Sequence, residues 1–442
     1  MTTSRFQSSQ FPAIGILVLG LALQMWLWSR AWIDWDQIVL LKLGMKLVVD
    51  GELAIFGKIM SGGGLIPGSF LQLVIAGPLA LWFDYRSPGL VVGMGQLLAV
   101  LVLWRVVRQG YGDRVAATFL AVYWLSPWRL YHSGFIWEPN YLMLPAALHM
   151  WAFWSQREAP KAGASFVLGC VLLLAPQLHA SGVVLFLITG LWLLHRPRAV
   201  NWAGIVAGAA LGAVSLVPTV IGVLRGMWPE RTAGVAGTGF VTVFPLLKAA
   251  AYWVRLGTLD VGRRVRQIVD PAFFGDAGIS VLSVLSAASV LAGVVAAVWY
   301  LSRRRVAEAS EAGPAEAFFY RYVLLSGLAI LISAGLSPVW IQGWHTLVIL
   351  HAATLPVALW TDRFLWSGAT WLRALVVAFV VMRVPIVVAI GLGHPMYIVP
   401  HGSEEEMRSV EPANLADIEP RKMPFGSGAG AQPLFRGIDL WE

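Results

Sequence analysis

Long apolar runs recur along almost the whole of this 442-residue chain, and they constrain its fold more than any other feature. A helix of about 20 apolar residues is long enough to cross a bilayer. Charged residues make up 13% of the chain, about half the fraction of a soluble domain. We therefore predict an all-α, polytopic integral membrane protein. On the same criterion there are about eleven spans, a few of them short: 11–29, 89–107, 115–129, 141–155, 163–179, 181–195, 201–224, 279–302, 320–337, 345–361 and 365–392.

Basic residues in the short linkers between these runs predict the orientation of the helices. They fall in or beside alternate linkers, and short linkers rich in Lys and Arg face the cytoplasm. The N-terminus is then cytoplasmic, and the long loops lie on the outer face of the inner or plasma membrane. The residues concerned are Arg105, Arg108, Arg114, Arg157, Lys161, Arg196, Arg198, Arg303, Arg304, Arg305 and Arg363.

This orientation divides the chain into membrane and outer parts. The long connections all fall on one face, and this asymmetry predicts chemistry or recognition outside the membrane. The predicted parts are 1–29 with the first span, 30–88 as an outer loop, 89–224 with the second to seventh spans, 225–278 as a basic outer loop, 279–392 with the last spans, and 393–442 as an extracytoplasmic tail.

Asp34 and Asp36 directly follow the first predicted span. Carboxylates at a membrane boundary are costly unless they have a function or a partner. Either one could act as a general base that removes a proton from an attacking hydroxyl. The alternative is structural: a pair with Arg30, or an N-cap formed by Asp36.

The rest of loop 30–88 predicts two helices that lie in the membrane interface. Lys42, Lys46 and Asp50 recur every four residues and form one polar stripe on the otherwise apolar segment 37–49. A Gly-rich stretch follows that is unsuited to a helix. The segment 70–83 is apolar but short, so we predict a second interfacial or re-entrant helix there.

Other polar residues fall at predicted outer positions. Glu138 could orient an acceptor hydroxyl or share the role of base, or simply mark a turn. His179 and His345 could bind a sugar or phosphate, or serve as polar anchors at helix ends. Arginine forks suit phosphate, although anionic headgroups would attract the same charges. The cationic candidates are Lys58, Arg225, Arg231, Arg263, Arg264 and Arg266.

Nucleotide chemistry has no support in the sequence. The chain contains no P-loop, no strand–GxGxxG–helix pattern and no CxxC pair. Its single cysteine, Cys170, lies in an apolar run and cannot form an intrachain disulfide. We predict no nucleotide cofactor and no nucleic-acid partner. A divalent metal is left open, because the histidines and acids show no recognised ligand spacing.

Residues 11–225 resemble the GT-C superfamily of membrane glycosyltransferases, in particular its protein mannosyltransferase/aminoarabinose transferase-like branch. The resemblance rests on the order of several short motifs. They are an acid after the first span with the spacing from Asp36 to Gly51, then Pro67-Gly68-Ser69, Trp137-Glu138-Pro139-Asn140 and Gln177-Leu178-His179-Ala180-Ser181. The sequence departs from the pattern at Gln37, where many relatives have a second acid.

The resemblance implies an enzyme that transfers a sugar from a polyprenyl-phosphate donor to a lipid, glycan or protein acceptor, with inversion. Asp36 is the expected base by its spacing, with Asp34 second. Positive residues would stabilise the leaving phosphate. The remaining residues that the resemblance implies in substrate binding are Trp137, Asn140, Gln177, His179 and His345.

Three other functions remain open. An O-antigen polymerase- or ligase-like transferase would also use outer arginines and a histidine, but it needs no acid after the first span. A transporter or flippase for lipid-linked sugars would place charges within spans, where here only Arg373 and Arg383 are exceptions. A non-catalytic membrane subunit would leave Asp34 and Asp36 merely interfacial.

Overall fold

A computed structural model describes residues 11–30, 35–59, 65–84, 86–227, 237–261, 271–303, 313–339 and 341–392. Most of these residues are helical, as the apolar runs predict, so the all-α membrane fold class is confirmed. Five predicted site residues lie outside the described residues, as does the predicted tail 393–442. These residues are Asp34, Arg231, Arg263, Arg264 and Arg266.

The helices and strands occur in the following order along the chain. They are α1 Phe11–Ser29, α2 Trp35–Asp50, β1 Phe56–Ile59, β2 Leu65–Pro67, α3 Phe70–Leu81, α4 Ser87–Trp124, α5 Pro127–Tyr131, a 3₁₀ turn Glu138–Leu142, α6 Met143–Ser155, α7 Ala162–Leu178, a 3₁₀ turn Ala180–Gly182, α8 Val183–His195, α9 Trp202–Ala213, a 3₁₀ turn Val214–Leu216, α10 Val217–Leu224, α11 Thr238–Thr242, α12 Phe244–Arg255, α13 Pro271–Ser302, α14 Pro314–Leu336, a 3₁₀ segment Gly343–Ile349, α15 Leu350–Ser367, α16 Thr370–Val381 and α17 Arg383–Leu392.

Seven helical segments among the described residues are long and apolar enough to cross a membrane. Two predicted spans, 89–107 and 115–129, fall largely within α4, which bends at Gly112 because this glycine has a φ of +84°. Other predicted spans correspond to shorter helices, such as α7 with 17 residues and α8 with 13. The count of eleven spans therefore stays a prediction, although each predicted run contains helix.

Loop 30–88 folds into the two predicted helices and a hairpin that the sequence analysis did not predict. Helices α2 and α3 pack on one another, and between them β1 and β2 pair antiparallel, with Phe56 opposite Pro67. Gly57 lies against Ile66 so closely that a Cβ atom there would come within 3.2 Å of the Ile66 side chain. The hairpin matters for function because it carries Lys58.

Small residues bring α7 and α9 into backbone contact. Gly204, Gly208 and Gly212 recur every four residues and are all buried, so they form one face of α9. A Cβ atom on Gly208 would collide with the carbonyl oxygen of Phe166 and lie 2.9 Å from the amide nitrogen of Cys170. Such Gly-xxx-Gly faces are a usual way for membrane helices to pack, since lipid offers no hydrophobic driving force.

We expect Gly208→Ala to lower the free energy of unfolding by about 1–3 kcal/mol, the usual cost of forcing extra volume into a packed interface. The measurement is the unfolding midpoint of the purified protein in detergent. Gly190→Ala is the matched control, because a Cβ at that position of α8 meets nothing within 4 Å. Equal midpoints for the two variants would contradict the close packing of α7 on α9.

Arg129 and Arg383 are fully buried and donate to backbone carbonyls and side-chain amide oxygens rather than to carboxylates. Arg129 donates from Nε to the Trp124 carbonyl at 2.9 Å and from Nη1 to the side chains of Gln24 and Gln96. Arg383 donates to the carbonyls of Val122 at 2.9 Å and Gly257 at 2.8 Å. Both cations therefore meet the C-terminal end of α4, where the helix dipole is negative.

Arg383 opens α17 instead of lying within one continuous last span. The structure thus places this predicted mid-span charge at a helix junction. Arg373 similarly lies in the first turn of α16, is exposed, and donates to the Gly368 carbonyl at 3.0 Å.

Candidate active site

Lys58 joins two carboxylates that lie far from it in sequence. Its Nζ donates to Oδ1 of Asp36 and lies 2.8 Å from Oε1 of Glu138. Asp36 is in the first turn of α2, Lys58 on β1, and Glu138 at the start of its 3₁₀ turn. The hairpin therefore brings together the two acids that the sequence analysis named separately.

The three side chains differ in their access to solvent. The Asp36 side chain is 31% exposed, against 11% for Lys58 and 6% for Glu138. The Oε2 atom of Glu138 is buried and has no hydrogen-bond partner among the described residues. Of the two acids, Asp36 is thus the one that an incoming hydroxyl group can reach.

Burial and charge act in opposite directions on Lys58. Burial alone lowers the pKa of its ammonium group, but the carboxylates of Glu138 and Asp36 outweigh burial and raise the pKa above the ordinary value. Lys58 is consequently a fixed cation at neutral pH. Burial raises the pKa of Glu138, with Lys58 opposing this shift and Asp36 adding to it.

The raised pKa of Glu138 predicts how stability depends on pH. A carboxyl whose pKa is raised on folding stabilises the protein fully only below the ordinary glutamate pKa of about 4.3. That contribution is lost as the pH rises through the raised value. Since glutamine does not titrate, the unfolding midpoint of Glu138→Gln is expected to exceed that of the wild type by a margin that grows with pH over this window. A constant margin from pH 4 upward would contradict the raised pKa of Glu138.

His179 and His345 form a second polar group beside this triad. Their ring centroids are 5.4 Å apart. The Nδ1 atom of His179 accepts from the backbone N–H of Ser181, and that of His345 accepts from the N–H of Gln342. Each ring therefore carries its proton on Nε2. Burial lowers the pKa of His179 well below its ordinary value, and the nearby His345 and Lys58 lower it further, so His179 is a neutral donor.

An aromatic wall and a further cation complete the group. The rings of Trp137 and Trp344 are 4.9 Å apart, and Trp344 also contacts the ring of His345. Lys248 on α12 donates to Oε1 of Gln342 at 3.1 Å. Neither Lys248 nor Trp344 is among the candidate site residues predicted from the sequence. The sole signal for Trp344 was its position next to His345.

Other predicted site residues have structural contacts. The amide nitrogen of Gln177 donates to the carbonyls of Leu173 and Gly212, and its oxygen accepts from the Ser215 hydroxyl. Asn140 donates to the Phe135 carbonyl, while its Oδ1 is buried without a partner among the described residues.

Arg225 is exposed at the C-terminal end of α10, and the structure shows no contact of its side chain with the triad. No group of three or more His, Cys, Asp or Glu side chains within the described ranges could hold a metal ion.

Comparisons with known proteins match the fold and not the sequence. No protein-family model matches the chain, and no curated protein matches it in sequence. The crystal structure of ArnT from Cupriavidus metallidurans bound to undecaprenyl phosphate matches with a TM-score of 0.53 and 12% identity, over 88% of this chain and 75% of ArnT. The apo state of ArnT matches with a TM-score of 0.52 and 14% identity, over 87% of this chain and 74% of ArnT. This polytopic membrane chain therefore has a GT-C-like fold, as its order of motifs predicts.

Proposed function

We propose that this chain is a glycosyltransferase that moves a sugar from a polyprenyl-phosphate donor to a hydroxyl of a lipid, glycan or protein. The transfer takes place on the outer face of the inner or plasma membrane. The observation that carries the proposal is the position of Lys58 between Asp36 and Glu138. A reachable carboxylate beside a fixed cation is suited to deprotonate a nucleophile next to a phosphate leaving group. The ArnT structure that shares the fold was solved with undecaprenyl phosphate.

In the proposed reaction Asp36 accepts the proton of the acceptor hydroxyl. The acceptor oxygen then attacks the anomeric carbon of the sugar from the side opposite the phosphate. The bond between that carbon and the phosphate oxygen breaks, and the electron pair leaves with polyprenyl phosphate. A single displacement of this kind inverts the anomeric configuration. Asp36 is favoured as the base over Glu138 because its side chain is the more exposed.

Lys58 would link the removal of the proton by Asp36 to the departure of the phosphate. Before the reaction its ammonium group is shared between the Asp36 and Glu138 carboxylates. Protonation of Asp36 removes one of these negative charges while negative charge grows on the leaving phosphate oxygen. Lys58 therefore interacts more strongly with the phosphate in the transition state than before the reaction. An interaction that is stronger in the transition state lowers the barrier.

His179 and Lys248 are further donors for the donor substrate. A neutral His179 offers its Nε2 hydrogen to a sugar hydroxyl or a phosphate oxygen without adding charge. Lys248 is only half-buried, so it remains accessible to a phosphate from the side of α12. Trp344 is half-buried and offers an apolar ring on which a sugar ring can stack, and the buried Trp137 packs behind it.

A reconstituted transfer assay tests this function. Purified protein in liposomes is offered radiolabelled polyprenyl-phosphate sugars together with total membrane lipid and cell-wall extract. Transfer of label to any acceptor is the expected result. Absence of transfer from every donor by folded wild-type protein would overturn the proposal and favour a transporter or a non-catalytic subunit.

A further inference from the structure

A cavity lies at the opposite end of α8 from His179. It has a volume of about 360 Å³ and is enclosed by the segments that follow α6 and α8, namely 156–160 and 196–199. Helix α8 has 13 residues, so this cavity lies about 20 Å from the candidate active site along the helix axis. The two sites therefore lie at opposite ends of α8, and the orientation predicted from the basic linkers would put this cavity on the cytoplasmic side.

Positive charge dominates the cavity. Arg157, Arg196 and Arg198 line it, and Glu158 is the one carboxylate among its lining residues. Glu158 is already paired with Arg157 at 2.7 Å. Neither Arg196 nor Arg198 has a carboxylate partner within the described part of the chain.

Arg321 adds a further positive charge from α14. Its guanidinium carbon lies 5.7 Å from the centre of the Trp192 ring, which also lines the cavity, and its charge is close enough to Arg196 for the two to repel. A group of positive charges without carboxylate partners favours the binding of an anion.

A buried hydrogen-bond donor points to the same conclusion independently. Gln156 lines the cavity, is 2% exposed, and its Nε2 has no acceptor among the described residues. Its orientation is fixed by Ser165, whose hydroxyl accepts from the N–H of Asn201 and therefore donates its own hydrogen to Oε1 of Gln156. The unpaired Nε2 therefore presents a buried donor to the cavity, where a bound anion can accept from it.

The geometry points to a binding site for a phosphate group in this cavity. Phosphate oxygens accept from guanidinium forks and from an amide N–H alike, which satisfies Arg196, Arg198 and Gln156 together. The cavity floor is apolar, formed by Phe153 and Trp192. Basic pockets between membrane helices on this side typically take anionic lipid headgroups. The phosphate can come from such a lipid or from a soluble phosphate compound.

The test is a titration of the full-length protein in neutral detergent with short-chain phosphatidylglycerol. The unfolding midpoint of the protein is measured at each lipid concentration. The midpoint is expected to rise and saturate, because a ligand that binds the folded state stabilises it. The double variant Arg196→Gln/Arg198→Gln is expected to weaken the apparent affinity about tenfold or more, since two charge-assisted contacts are lost. Inorganic phosphate that gives the same stabilisation would identify a soluble source, and stabilisation by the lipid alone would identify the headgroup.

Two controls make the result specific. Arg105→Gln removes an exposed arginine on the same predicted face but outside the cavity, and it should leave the affinity unchanged. Gln156→Glu keeps the acceptor for Ser165 but replaces the free donor by a carboxylate oxygen, so it should abolish the response. Equal losses in Arg105→Gln, equal stabilisation by phosphatidylcholine, or no response of the wild type would overturn the site. None of these readouts depends on sugar transfer.

Discussion

Replacing Asp36 with asparagine is expected to lower kcat for sugar transfer by about 10²–10⁴-fold, the usual contribution of a positioned general base. Asparagine keeps the shape of the side chain and can still accept a hydrogen bond from Lys58, but it cannot accept the proton of the acceptor hydroxyl. The measurement is single-turnover transfer in liposomes. Binding of the donor should change far less, because Lys58 and Glu138 remain.

The chain offers a matched control for this variant. Asp113 is also partly exposed, at 39% of its side chain, and forms an ion pair with Arg108 at the bend of α4. Asp113→Asn breaks a comparable surface pair away from the site and should leave transfer unchanged. Full activity in Asp36→Asn combined with loss in Glu138→Gln would move the role of base to Glu138. Asp34→Asn tests the remaining acid of the predicted set in the same assay.

Replacing Lys58 with methionine is expected to lower the free energy of unfolding by about 3–5 kcal/mol and to abolish transfer. The variant keeps most of the apolar stem, yet it leaves Glu138 buried at 6% exposure without its cation. An uncompensated buried charge is what makes the loss of one partner costly. Denaturant unfolding in mixed micelles measures the change.

A double variant separates the two effects of Lys58. In Lys58→Met/Glu138→Gln the buried site carries no charge from either residue, so most of the lost stability should return. Transfer should stay absent, because the cation proposed to stabilise the leaving phosphate beside Asp36 is missing. Recovery of transfer together with stability would show that Lys58 matters only for folding, and it would contradict the coupling between Asp36 and the phosphate.

The sequence predicts the parts of this fold that depend on local pattern. Apolar runs predict the helices, and the four-residue polar stripe of Lys42, Lys46 and Asp50 predicts α2, which the structure confirms as Trp35–Asp50. These predictions succeed because each rests on the periodicity of one segment and needs no knowledge of its neighbours.

Contacts between residues that are distant in sequence could not be predicted from local patterns. Asp36 is bonded to Lys58 across 22 residues, and Glu138 meets the same ammonium from 80 positions further along the chain. The hairpin that aligns them is short and lies next to a Gly-rich stretch, so its strands show no alternating pattern. Gln177 carries no sign in the sequence that its amide would be engaged by Gly212 and Ser215, since that depends on how α7 packs on α9.

The buried Arg383 has a consequence for how the chain enters the membrane during synthesis. An arginine within a spanning helix costs about 2.5–3.5 kcal/mol at insertion. Its carbonyl acceptor on Val122 lies 261 residues earlier in the chain, and the one on Gly257 lies 126 residues earlier. Both acceptors are therefore made long before Arg383 leaves the ribosome. We therefore expect the last two helices, α16 and α17, to insert beside helices that are already present in the membrane, whose carbonyls then accept the hydrogen bonds of Arg383.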